Sequence, residues 1–144
     1  MYVPRSPDST GARRTTDRDQ DISRLASLAR DVSLDVDVHR YQMNLVSHLR
    51  IHRAVSAGVS PAATRHFDRL IRCLAPLHGI DYVTPALVAL AARKVYLHRV
   101  EVAGPEEERS VQWGGDVRAV EALLEGVGPE DVIEDVLGMV AAPL

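Results

Sequence analysis

The 144 residues suit one domain with a tail or an added subdomain, and 46% hydrophobic content is enough for a core. Only 4% are aromatic, so that core has to be aliphatic, which favours packed helices. A formal net charge of −3 argues against a nucleic-acid module, for which a basic domain is expected; the single cysteine, Cys73, excludes an intramolecular disulfide and an all-cysteine metal site.

No apolar run approaches the ~20 residues of a membrane span. The N-terminus is polar and lacks the apolar core of a secretion signal, so an intracellular, cytoplasmic protein is expected. Residues 1–20 read as a disordered tail. Pro4, Pro7, Gly11 and the charged run from Arg13 to Asp19 offer almost nothing to bury.

From Asp21 to about Arg30, Ile22, Leu25, Leu28 and Ala29 recur at helical spacing. Asp31 to Val38 then alternates apolar and polar, which predicts an extended connector with Asp37 capping the next helix. That helix runs from about Val38 to Arg53, with Val38, Tyr41, Leu45, Leu49 and His52 near one face. Gly58 falls in the following loop.

Ser60-Pro61 opens the next helix: a serine oxygen for the cap and a proline that presets the first turn. Ala63, Phe67, Leu70, Ile71, Leu74 and Leu77 give it the widest apolar stripe in the chain. Cys73 is expected to be buried packing. Pro76 sits in the last turn, and Gly79 supplies the left-handed stop, with Ile80 folding back on Leu74. Thr84-Pro85 repeats the start signal. Leu87, Val88, Ala91, Val95 and His98 are predicted to line the inner side of that helix.

Val100 to Val102 reads as a short extended exit, Gly104 to Arg109 as a charged linker, and Gly114-Gly115 as a break. A helix is predicted from Asp116 to Glu125. Another opens at Gly128-Pro129, with Val132, Ile133, Val136, Leu137 and Val140 on its apolar face. Its acidic, amphipathic character suits packing on the same chain or docking a neighbouring subunit; same-chain packing is the simpler reading.

No G-x-x-x-x-G-K-[ST] loop occurs, so the chain shows no backbone cradle for a nucleotide triphosphate. Nor is there a G-x-G-x-x-G, a G-x-S-x-G or an H-E-x-x-H motif. His48 and His52 stand four apart, a spacing able to hold zinc, but a third ligand such as His39 or His66 would be needed. No metal site is assigned. Arg50, His52, Arg53, Arg65, His66, Arg69 and Arg72 form a basic constellation that can meet phosphates or an acidic partner.

Five stretches carry a family resemblance. They are Tyr41 to Val46, Leu49-Arg50-Ile51-His52, Gly58-Val59-Ser60-Pro61-Ala62-Ala63, Gly79 to Val88, and His98-Arg99-Val100. Their order and spacing make residues 22–100 resemble the small C-terminal lid of MoxR-type and magnesium-chelatase-type AAA+ ATPases. With the periodicities above, the resemblance implies an all-α fold: a helical bundle over residues 21–103, followed by the hinge and two further helices read from residues 104–144. It departs at one position. The family's nucleotide-sensing arginine after Ser-Pro is Ala62 here, which has neither charge nor donors; Arg65, one turn on, is the candidate substitute. The segment beyond Gly104 lacks a counterpart in the ordinary bacterial lid and resembles fungal magnesium-chelatase-like proteins. Chelatase activity does not follow, since it needs an ATPase motor and a separate catalytic subunit.

The resemblance implies a non-catalytic lid module that packs on an ATPase core or a neighbouring subunit, homo-oligomers included. ATP and magnesium enter only through that core. Arg50, Arg53, Arg65 and Arg69 are the nucleotide-sensing or subunit-interface candidates. The alternative is a free-standing helical adaptor that binds protein through the face around Val132, Val136 and Val140. A helix-turn-helix is disfavoured because the helix after Thr84 is apolar and starts with few base-reading side chains.

Overall fold

Both Ser-Pro and Thr-Pro signals open helices. In the computed structural model, which describes residues 9–143, Ser60 accepts from the Ala63 N–H and Thr84 from the Leu87 N–H. The helices that follow are α3 (Pro61–Leu77) and α4 (Pro85–Tyr96). Before them come α1 (Ser9–Asp31) and α2 (Val36–Ile51); after them come α5 (Val117–Leu124) and α6 (Pro129–Met139). Gly79 has φ +73° and ends the α3 turn, where the Ile80 N–H donates to the Ala75 carbonyl at 3.0 Å. The all-α expectation holds, with two short strands as the exception.

Those strands are β1 (Val55–Ala57) and β2 (Glu101–Val102), paired antiparallel with Val55 opposite Val102. The extended exit expected at 100–102 is therefore one side of a ribbon, whose partner the sequence does not announce. Gly58 follows β1 at φ +105°, and a Cβ there would overlap the Arg99 carbonyl. Only glycine lets the two chain segments pass this closely.

The connector before α2 lies beside the α3–α4 turn. Ser33 donates its N–H to Asp81 O at 2.9 Å and accepts from the Val83 N–H at 3.0 Å. The cap of α2 is Asp35, not Asp37: Asp35 is extended at φ −64° and ψ 148°, and its carboxylate takes the Asp37 N–H at 2.8 Å. Asp37 already sits in the first turn and pairs with Arg40 at 3.2 Å. A run of alternating residues cannot distinguish between two aspartates two apart.

One aliphatic core joins the helices. Leu45, Val46 and Leu49 of α2 meet Phe67 and Ile71 of α3, Val88 and Tyr96 of α4, and Val132, Ile133 and Val136 of α6. Phe67 and Tyr96 pack edge to face at 5.4 Å. The C-terminal helix thus packs on its own chain, against α2 and α4. Two expectations are corrected. His98 lies beyond the end of α4 and is exposed, because α4 stops at Tyr96 and Tyr96 takes the inner position. Cys73 is exposed, two residues past Ile71, on the outer side of α3. Helix α1 begins at Ser9; Arg18, Asp19 and Gln20 on it are exposed, in keeping with a segment that offers little to bury, and residues 1–8 lie outside the described residues.

Candidate functional site

Of the five arginines in the basic constellation, three are spent on the fold and two are left on the surface. Arg50, in the last turn of α2, donates to the Val59 carbonyl at 3.0 Å and to Thr64 Oγ1 at 3.1 Å. It ties the end of α2 to the start of α3. Arg53 pairs with Glu108 at 3.3 Å. Glu108 is only 3% exposed, and its carboxylate also accepts from the Ser110 hydroxyl and, at 2.9 Å, from the Ser110 N–H. Ser110's hydroxyl first, and then its N–H and Arg53, hold the Glu108 carboxyl below its ordinary value against the pull of burial.

Arg65 and Arg69 are one turn apart on α3, exposed, and without an ion pair or hydrogen bond among the described residues. Arg72, next along, is used internally: it pairs with Asp68 at 3.4 Å and donates to the Val32 carbonyl at 3.2 Å. Ala62 is the second residue of α3 and partly buried, so the position expected to sense nucleotide carries a methyl group.

Between α2 and α3 runs a groove of about 330 Å³, lined by His39, Gln42, Met43, Arg65, Asp68 and Arg69. Gln42 is 1% exposed and its Oε1 has no hydrogen-bond partner. An unpaired buried amide oxygen is costly in a native protein. Sequence reasoning missed this residue. The signal was present: Val38, Tyr41, Gln42, Leu45, Val46 and Leu49 form one buried stripe, and Gln42 is its polar member.

A second unannounced pair lies beside Arg65 in the second turn of α3, where Arg99 Nη2 donates to His66 Nδ1 at 3.0 Å. Beneath it the Tyr96 hydroxyl is fully buried. Burial pushes its pKa up, while Thr64, Arg50 and Arg99 draw it down. The paired histidines are used locally. His48 Nδ1–H donates to the Asn44 carbonyl at 2.9 Å; His52 Nδ1 accepts from the Ala54 N–H at 3.2 Å and its Nε2 faces Asp135 at 3.0 Å. Among the described residues no three His, Cys, Asp or Glu side chains gather as a metal set, and no helix is long and apolar enough to cross a membrane.

The AAA lid domain family matches residues 47–121, from the last turns of α2 into α5. The chain belongs to the AAA lid domain family, a non-catalytic part of AAA+ ATPases. The match reaches α5, past Gly104, where the resemblance was expected to end. Maintenance of telomere capping protein 2 from Lachancea thermotolerans is 27% identical over 111 residues, 74% of this chain and 39% of that protein. The crystal structure of a proposed ATPase from Cytophaga hutchinsonii shares the fold, with a TM-score of 0.62 and 19% identity, over 82% of this chain and 34% of that one. The chain therefore spans well under half the length of either protein.

Proposed function

We propose that this chain is the lid of a MoxR/magnesium-chelatase-like AAA+ ATPase, and that it carries nucleotide state from an ATPase core to the contact with the next subunit. Hydrolysis, ATP and magnesium belong to the core. The carrying observation is the pair Arg65 and Arg69: two fixed charges one helical turn apart, without partners among the described residues, on the helix that begins at the Ser60-Pro61 signal. Ala62 offers no donor, so sensing through that position is lost and Arg65 is the residue that contacts the core. Arg50 and Arg53 act indirectly, by fixing the approach of α2 to α3 and the segment around Glu108.

The adaptor reading loses its surface. Val132, Val136 and Val140 are buried in the chain's own core, not presented to a partner.

Calorimetry on the chain with magnesium-ATP should show no binding. Mixing it with an AAA+ core whose own lid has been deleted should give a complex, which Arg65→Glu with Arg69→Glu weakens at least tenfold. Hydrolysis by the chain alone, or a complex indifferent to both reversals, would overturn the assignment.

A further inference from the structure

We infer that the groove between α2 and α3 binds an acidic polypeptide segment in extended form, with two carboxylates spaced one residue apart. The inference rests on the proposed core contact of Arg65 and Arg69 and names the chemistry of the segment that the core or the next subunit presents to them; a core complex that forms without peptide binding would separate the two.

Two independent features define what the groove accepts. The first is cationic: Arg65 and Arg69 line it, exposed and unpaired among the described residues. Asp68 shares the groove, but its carboxylate is engaged by Arg72. The second is Gln42, buried on the α2 wall of the same groove, whose amide Oε1 has no hydrogen-bond partner. A ligand that turns the Gln42 amide toward the groove and meets both features brings acceptors for the arginines and a donor for Oε1. A fully ionised phosphate brings acceptors only and leaves Oε1 unmatched. A peptide brings both: carboxylates on its side chains and N–H groups on its backbone.

Spacing selects the pattern. Arg65 and Arg69 are four residues apart on α3, about 6 Å along its axis at 1.5 Å per residue. Carboxylates at alternate positions of an extended chain lie on one face, about 6.6 Å apart. An acidic-x-acidic segment therefore sets one carboxylate on each guanidinium, and the N–H of the middle residue falls toward Gln42. Met43, 37% exposed on the rim, offers an apolar contact to a flanking side chain. A volume of about 330 Å³ lies at the small end of the ~300–1,000 Å³ typical of ligand sites, which suits a few residues and not a folded domain.

The test is a titration of the isotopically labelled full chain with the blocked peptide Leu-Glu-Ala-Glu-Leu, followed by amide chemical shifts. Shifts should cluster on the α2–α3 groove. Arg65→Gln with Arg69→Gln should weaken binding at least tenfold. Gln42→Met, which keeps the shape and removes the acceptor, should weaken it severalfold with the fold intact by circular dichroism. A peptide with Gln in place of both Glu residues should not bind. Binding that survives the arginine changes, a scrambled peptide with adjacent acids that binds as tightly, or inorganic phosphate that matches the peptide at the same residues would each overturn the proposal.

Discussion

Gly58 shows how much one residue constrains. Its φ is +105° and a side chain would overlap the Arg99 backbone, so Gly58→Ala meets both strain and a clash. The expected loss exceeds about 2 kcal/mol, read from chemical denaturation, and the β1–β2 ribbon is where it acts. Arginines make a sharper comparison. Arg50→Ala removes two charge-assisted hydrogen bonds to the start of α3 and should cost about 1–3 kcal/mol. Arg65→Ala removes none among the described residues and should fall within about 0.5 kcal/mol of the parent. A denaturation series in which Arg65→Ala proved the more costly would contradict this assignment of roles. Sequence grouped Arg50, Arg53, Arg65 and Arg69 together because all four are basic and lie where one predicted helix ends near the start of the next. What separates them is a carbonyl at Val59, a hydroxyl at Thr64 and a carboxylate at Glu108, none of which spacing along one helix reveals.

Local chemistry was legible at the level of elements. Ser60 and Thr84 each accept the N–H three residues on, and each lies at the boundary that the serine or threonine before proline implies. Ser60→Ala and Thr84→Ala should each lower stability by about 1 kcal/mol, and the two losses should add, since the caps share no partner. Melting of the double substitution against both singles checks this; strong non-additivity would mean that the caps communicate through the core. The boundaries of α5 and α6 were readable for the same reason. Strand β1 was not. Its three residues carry no period, and they pair only because β2 returns from more than forty residues away. The groove was half legible: Arg65 and Arg69 could be found by type, while Gln42 needed the packing of α2 to show that a polar residue lies in the buried stripe.

At the scale of the molecule, the C-terminal third is held to the lid by packing and by carboxylates. Ile133 is buried in the shared core, so Ile133→Ala should cost about 2–5 kcal/mol and lower the single cooperative transition, not create a second one. Two ion pairs work in the same direction. Arg93 of α4 grips Glu134 of α6 with paired hydrogen bonds, one at 2.9 Å, and Arg53 grips Glu108. Hydrogen bonding from Arg93 holds the Glu134 carboxyl below its ordinary value of 4.5, and Ser110 with Arg53 does the same for Glu108. A carboxylate depressed in the folded state takes up its proton first in the unfolded chain as pH falls. Its stabilising contribution is therefore complete above about pH 4.5 and is lost as pH drops through the lowered folded value. The melting temperature should decline on acidification below that point, and Glu134→Gln with Glu108→Gln should flatten the decline, since neither amide has a proton to gain. The difference between parent and double variant should narrow as pH falls. A gap that widened on acidification would show that these carboxylates are not what fastens α6 and the segment around Ser110 to the arginines of α2 and α4.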